Sequence, residues 1–365
     1  MKKVLLTAMA LFTIIASSAF GYYGGNNDWI DFLTDANQLR FRTRQMGLVL
    51  GNGAIKGVIG VRDESETALG QILSQGKFIP TLSLGIGYTT DAFGIGIGYN
   101  YDYTDEFRGA TKSKYNLSVH TPVIAMNFLN NNLRIVVPVQ VGVLNFDTTG
   151  VPDILNPKYL GISLDPQIRY YTGIEAFSEL RLTIKYGMNQ VSYKDNGVNK
   201  TYTASSLGFD FRAYFGAQVG DVGLKPFIKI TYDTSLDATK TGLGEIGITA
   251  GSGITPPTDV ADKYISNPWE LNVLPTLGLS ANSDIVSVYA EGGLGYKAYS
   301  SGLKYANKIT HTLSWAAYGE ISITPVKDLE WYFEAEIASP KAQQIEDKVK
   351  FNAATGVTWY LPSFQ

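Results

Sequence analysis

Cysteine is absent from this chain of 365 residues, and histidine occurs only twice. The first absence excludes disulfides, thiolate metal sites, a cysteine nucleophile and the acylated cysteine of a lipoprotein. Charge is scarce too: Asp, Glu, Lys and Arg make up 17% of residues, an unusual share for a soluble enzyme. The formal net charge of −3 and a pI near 5.6 supply no basic field, which argues against nucleic acid as a partner. Beyond the N-terminus no stretch reaches the ~18 consecutive apolar residues that a transmembrane helix requires. Any membrane crossing by the mature protein therefore uses strands. Glycine (38), tyrosine (23) and phenylalanine (17) are what the chain has in excess, and a mean hydropathy of −0.01 hides an alternation that averages out.

That alternation is clearest in Phe93-Gly94-Ile95-Gly96-Ile97-Gly98-Tyr99-Asn100-Tyr101-Asp102-Tyr103, where odd positions are large and apolar or aromatic and even ones are glycine or polar. Successive strand side chains point to opposite faces, so this is a strand with one greasy and one small or polar face. The pattern recurs behind an N-terminal export signal. Lys2 and Lys3 form its positive region, Val4 to Ile15 its apolar region, and Ala16-Ser17-Ser18-Ala19-Phe20-Gly21 its small residues. A secretory signal peptide over 1–21 is expected, cut after Gly21 with Ala19 three positions back; a cut after Ala19 is nearly as good.

Outer-membrane barrels alternate short periplasmic turns with longer external loops. Read from the C-terminus, thirteen strands in that rhythm are expected near 349–361, 329–339, 309–323, 285–297, 268–281, 223–233, 203–217, 178–191, 159–172, 133–146, 114–128, 92–105 and 77–89. Closure with both ends on one side needs an even number, and Gln45 to Arg62 supplies the missing strand, either bulged or as a pair around Asn52-Gly53. The fold class is all-β: an antiparallel transmembrane β-barrel of about fourteen strands, within twelve to sixteen, over residues 45–365. Residues 22–44 are placed outside the wall as a periplasmic or luminal segment, in which Asp28 could cap a short helix carrying Trp29, Ile30 and Leu33. A soluble sandwich would also alternate, but the export signal and the short-long rhythm of the turns oppose it.

Sorting faces by apolar content puts Leu133, Ile135, Val137, Val139, Val141, Val143, Leu180, Leu182, Ile184 and Tyr186 outward. Asp102, Arg134, Gln140, Asp165, Gln167, Arg169, Glu179, Arg181, Lys185, Asp210, Arg212, Lys225, Lys229, Glu270, Glu330, Glu334 and Glu336 then line the lumen. Arg or Lys at mid-membrane on the lipid face costs about 2–4 kcal/mol, so the segregation decides the architecture. Tyr99, Tyr101, Tyr103, Tyr115, Trp269 and Trp359 are assigned to aromatic girdles, with carbohydrate stacking as the sharper alternative. Pro80, Pro122, Pro138, Pro166, Pro226 and Pro275 fit badly, because a proline inside a strand removes a ladder donor.

Reactive chemistry is thin. The glycines of 94–98 are one face of a strand and do not open a helix, so no nucleotide or other cofactor is expected. His120 is expected to face the lumen and His311 to face outward near the external rim, and neither stands in a recognisable Ser-His set; no enzyme activity is expected. Glu330, Glu334 and Glu336 form an inward acidic stripe that could take a cation such as calcium, with Arg and Lys on facing strands as the alternative partners. No metal site is assigned.

Met1-Lys2-Lys3-Val4-Leu5-Leu6-Thr7-Ala8-Met9-Ala10, Ala19-Phe20-Gly21, Asp28-Trp29-Ile30-Asp31-Phe32-Leu33-Thr34 and Leu50-Gly51-Asn52-Gly53 resemble the variable surface protein (Vsp) family of intestinal spirochaetes. The resemblance implies an abundant outer-membrane surface antigen with related copies, loops that vary under antibody pressure, and assembly into larger homo- or hetero-oligomers. It brings no catalytic residues. One departure from the general barrel pattern is that an aromatic, Phe364, stands next to last instead of last. The expected function is that of a surface antigen with variable extracellular loops, built as a porin-like barrel in outer-membrane lipid passing small hydrophilic solutes; the alternative is a closed-lumen surface protein or adhesin without channel activity whose loops meet host molecules. The longest loop, near 234–267, carries Pro256-Pro257 and much Thr, Gly, Ser and Asp. Deleting about 240–262 is expected to leave a barrel with heat-modifiable gel migration; a product that no longer folds would overturn the loop placement.

Overall fold

Every strand pairing in the main sheet is antiparallel, and the last strand pairs with the first, Gln38 opposite Tyr360 and Arg42 opposite Gly356, so the sheet closes into a barrel. The computed structural model describes residues 28–43, 45–63, 80–104, 115–146, 158–195, 197–236, 247–249, 253–255, 264–306, 308–339 and 349–363. The expected signal peptide and its cut at Gly21 lie outside these.

The wall strands are β1 (Gln38–Arg42), β2 (Gln45–Gly51), β3 (Ile55–Asp63), β4 (Pro80–Thr89), β5 (Gly94–Thr104), β6 (Tyr115–Phe128) and β7 (Leu133–Phe146). They continue as β8 (Lys158–Leu164, resumed as Gln167–Ile174), β9 (Phe177–Asp195), β10 (Val198–Tyr214, resumed as Ala217–Val219), β11 (Val222–Ser235) and β12 (Trp269–Asn282). The last four are β13 (Val286–Ser300), β14 (Thr310–Val326), β15 (Leu329–Ala338) and β16 (Lys350–Tyr360). The sheet's eighteen segments make sixteen crossings, because β8 and β10 are each interrupted once. A separate two-stranded hairpin, Gly247–Thr249 with Gly253–Thr255, belongs to the long loop before β12.

Sixteen replaces the expected fourteen for two local reasons. Gln45 to Arg62 is a full hairpin: Asn52 Oδ1 accepts from the Ala54 and Ile55 amides at 3.2 and 2.8 Å, and Gly53 takes the turn's positive φ of 88°. Residues 38–42, expected outside the wall, form β1, whose five residues carry the right alternation over too short a run to read as a crossing. Residues 192–202, expected between two strands, instead continue a tall hairpin, since β9 and β10 stay paired up to Asp195 opposite Val198.

The prolines sit where the ladder breaks. Pro166 falls in the interruption of β8. Pro226 accepts from the Phe215 amide at the interruption of β10. Pro275 and Pro122 coincide with missing rungs between β12 and β13 and between β6 and β7. Pro80 opens β4, and Pro138 pairs with Val123 beside the Pro122 break. A closed wall thus accommodates the missing donors at irregularities or beside them, and in Pro80 at the first residue of a strand.

Face assignment follows the pleat. Ile97 and Leu294 are 62% and 64% exposed on the outside, whereas Asn100 and Thr121 are 1% exposed on the inside. Apolar side chains open to the exterior and polar ones enclosed is the inverse of a soluble sandwich and the pattern of an outer-membrane-type barrel. Ile97→Arg is expected to destabilise the barrel in bilayers by about 2–4 kcal/mol, and Val219→Arg, beside a short turn, by only about 0–1 kcal/mol. Urea-driven unfolding from lipid measures both; equal losses would displace the assigned membrane band.

Candidate functional site

The inner face of β4 and β5 is a strip of glycines, and the chain's own N-terminal segment fills it. A Cβ on Gly98 would lie 2.5 Å from the Trp29 ring, one on Gly85 2.6 Å from the same ring, and one on Gly96 3.0 Å from both Phe32 and Leu33. Only glycine permits so close an approach. Trp29 and Ile30 lie in a short 3-10 helix, Asp28–Asp31, and Phe32 and Leu33 in the turn that follows it; all four side chains are buried with Val49, Val58, Val123, Ala125 and Val136 of the wall. Burying a large apolar side chain contributes roughly 1.5–3 kcal/mol, so this cluster is the segment's main hold. Trp29 Nε1 donates to Asn100 Oδ1 at 3.3 Å, which satisfies the indole inside the barrel.

Ion pairs fix the segment's orientation. Asp31 accepts from Arg134 Nη1 at 2.6 Å and from Arg169 Nη1 at 3.0 and 3.1 Å, while Asp28 pairs with Arg62 at 3.2 Å. Lys56 Nζ donates to the carbonyls of Leu33, at 3.1 Å, and Asp35. Asn37 then bridges the barrel's two ends, donating to Gly51 O at 2.8 Å and Pro362 O at 3.0 Å and accepting from the Leu361 amide at 2.8 Å. The segment therefore plugs the end of the lumen that carries the short turns.

Beyond the plug the lumen wall is electrically divided. Across β8 to β11, Arg169 lies 3.7 Å from Glu179, which receives a two-point bond from Arg181 at 2.5 and 3.0 Å. The Arg181 guanidinium and the Lys225 ammonium sit over the Tyr214 ring at 4.6 and 5.3 Å. Arg212 holds Asp210 at two points of 3.0 Å, Lys229 lies 3.6 Å from Asp210, and Lys185 reaches Asp233 at 3.1 Å. On β13 to β16 the wall is acidic and phenolic. The Tyr318 hydroxyl sits 2.8 Å from Glu320 Oε2 and 2.9 Å from Glu334 Oε2, Tyr289 donates to Glu291 at 2.8 Å, and Tyr360 to Glu330 at 3.4 Å. Arg42 of β1 stacks 3.9 Å over Tyr332. Tyrosine hydroxyls and the guanidiniums of Arg40 and Arg42 on β1 are thus the neighbours of Glu330, and tyrosine hydroxyls and Arg42 those of Glu334. Among the described residues, no three His, Cys, Asp or Glu gather as a metal site.

Register places Asp102, opposite buried Thr81, and Gln140, Glu270 and Glu336 on the inner face as well. Asp165 falls in the interruption of β8 between strand segments. Inward charges that sequence sorting passed over include Arg40, Arg42, Lys56, Arg62, Asp233, Glu291, Lys297 and Glu320, together with Asp28 and Asp31 of the plug. The parity of each strand would have found most of them; the plug's signal was Trp29 to Leu33 lying upstream of a glycine-faced hairpin.

His120 is a correction: it faces outward, where its Nδ1 lies 2.5 Å from the Tyr99 hydroxyl. Its strand turns Thr121, Val123 and Ala125 inward, two of them apolar because the plug packs there, and this inverted the reading by apolar content. His311, also outward, makes the same 2.5 Å bond with Tyr296. Trp269 stacks on Tyr232 outside, and Trp359 is exposed on the outer face. Tyr101 packs beside His120, and the Tyr103 and Tyr115 side chains lie outside the described residues.

The family model described as Serpulina hyodysenteriae variable surface protein matches residues 2–360. No match is found among curated proteins. Similar solved structures include the FrpB iron transporter from Neisseria meningitidis (10% identity, 92% of this chain and 54% of that one, TM-score 0.46). Others are the translocator domain of autotransporter NalP from Neisseria meningitidis (12%, 98% and 97%, 0.36) and the CymD monoaromatic hydrocarbon channel (10%, 94% and 93%, 0.38). This chain spans about half the length of FrpB.

Gly98→Leu is expected to eject the plug and leave the barrel standing. With the other four tryptophans replaced by phenylalanine, Trp29 emission should shift to the red in a product that still migrates as folded. Unshifted emission would mean that the glycine strip is not what seats the ring.

Proposed function

We propose that this chain, which belongs to the Serpulina hyodysenteriae variable surface protein family, is a surface-exposed outer-membrane barrel that passes small hydrophilic solutes through a channel narrowed by its own N-terminal segment. The carrying observation is the lumen of a sixteen-crossing barrel, lined by charge and partly occupied by residues 28–37. Barrels of eight strands are filled by their side chains, whereas sixteen to eighteen leave an aqueous channel. A basic wall on β8 to β11 beside an acidic, phenolic wall on β13 to β16 orients dipolar solutes between them. The protein acts by binding and passage, with no reaction step.

Surface exposure is supported by where the long connections fall. The strand ends that flank residues 64–79, 105–114, 147–157 and 237–263 lie at the rim opposite the start of β1, which is the external side of an outer-membrane barrel. Antibodies and host molecules would meet these loops. The plug itself favours a second reading, a closed-lumen surface scaffold.

Single-channel recording of the refolded protein in planar bilayers separates the two. The native protein is expected to conduct in small steps. Asp31→Ala strands Arg134 and Arg169 inside the lumen, a loss of about 3–5 kcal/mol for the plugged state, and should enlarge the steps at least twofold. Silence from both folded proteins would overturn the channel reading in favour of the scaffold.

A further inference from the structure

The wall is not equally tall all round. A transmembrane strand needs about 9–11 residues, yet β1 has five and β2 seven, and both lie at the seam where the barrel closes. β16 pairs with β15 from Lys350 to Trp359 but with β1 only from Gly356 to Tyr360, extended by the Thr43–Thr355 backbone contact. Among the described residues nothing pairs with Lys350–Ala354 on the side away from β15. Five residues at about 3.3 Å each leave an edge of roughly 17 Å. The Thr355 amide and carbonyl both turn toward β1, so those of Ala353 and Phe351, two and four residues away, turn into the same opening.

The turns that follow the even-numbered strands β2 to β14 lie together at the rim where β1 begins, so the missing height falls in the external half of the membrane band. Hydrocarbon leaves unpaired strand backbone without partners, and such backbone is tolerated only where it meets water or protein. The lumen supplies the water. On its inner side the opening is bounded by Arg42, stacked on Tyr332, and by Glu334 and Asn352; on its outer side stand Phe41, Met46 and Phe351, 47%, 47% and 66% exposed. Lumen and lipid face thus adjoin beside Lys350–Ala354, above the tops of β1 and β2.

We propose that this gap is a lateral opening through which amphipathic small molecules pass between the lumen and the outer leaflet. The polar head hydrogen-bonds to the free strand edge and to Arg42 and Glu334, and the apolar tail lies among Phe41, Met46 and Phe351. The passage depends on membrane insertion alone, so it stands whether or not the lumen conducts ions along its axis.

The chain's lack of cysteine makes the test direct. A bimane fluorophore is attached to Asn352→Cys, on the inner face at the opening, and to Thr231→Cys, on the inner face of β11 and paired on both sides. Phe351→Cys, on the lipid face, is the positive control. The folded proteins, certified by heat-modifiable migration, are placed in vesicles containing phospholipid with a nitroxide on its acyl chain. Bimane at Asn352 should be quenched at least twofold more than at Thr231, and a nitroxide-bearing fatty alcohol should add saturable quenching at Asn352 alone. Ala354→Cys, on the same face, replaces Asn352→Cys if that variant does not fold. Equal quenching at the two inner sites would show the gap covered by the protein's own loops and overturn the proposal. Disulfide-linked dimers of Phe351→Cys would assign the edge to a second copy and overturn it as well.

Discussion

Hydrocarbon offers a backbone amide no hydrogen-bond partner, and this constraint organises the molecule. Sixteen antiparallel crossings joined end to end satisfy each other's ladders, and the closure of β16 on β1 over Gly356–Tyr360 leaves only Lys350–Ala354 of that seam without a described partner on the β1 side. The pleat then sorts side chains with a period of two. Ile95, Ile97 and Leu294 meet lipid while Asn100, Thr121 and Glu179 are enclosed. The irregularities obey the same requirement: prolines 122, 166, 226 and 275 stand at breaks in the ladder, where a missing N–H leaves no partner unmet.

The second constraint is volume. A barrel of this size cannot be filled by its wall, and the glycines of β4 and β5 make the space still larger on one side. The segment ahead of β1 supplies the missing volume: Trp29, Phe32 and Leu33 enter the glycine strip, and Asp31 meets two arginines that would otherwise face each other across β7 and β8. Glycine strip and plug explain each other. Side chains on the strip would fill the space but leave Arg134 and Arg169 without a shared carboxylate; the plug without the strip would have no seat for its ring.

The barrel class was legible because lipid imposes parity on every crossing, and parity survives in a single sequence. Most inward charges were legible on the same ground, Arg181, Arg212 and Glu334 among them. What stayed hidden was whatever depended on the plug. Val123 and Ala125 are apolar because they touch it, so the inner face of β6 looked like an outer one and His120 was turned to the wrong side. β1 was missed because five residues of alternation fall within what any loop could show, and its partner β16 lies over three hundred residues away. The tyrosine neighbours of Glu320 and Glu334 were hidden for another reason: cross-strand pairing fixes them, and register is set by hairpins whose turns span only a residue or two.

The plug and the low seam are two outcomes of one piece of chain geometry. The segment lies inside the lumen through Asp35 and must emerge through the wall within the two residues before β1 begins at Gln38. Asn37 marks that point, bonded to Gly51 on one side and to Pro362 and Leu361 on the other, so the exit is pinned at the short-turn rim. From there β1 rises for five residues, and above it β16 is paired, among the described residues, with β15 only. Closure requires only that β1 meet β16 where the rims coincide, and it does. The height of the wall above that meeting is set by the length of the β1–β2 hairpin, independently of closure, and this is why a barrel can be sealed at its base and open at its side.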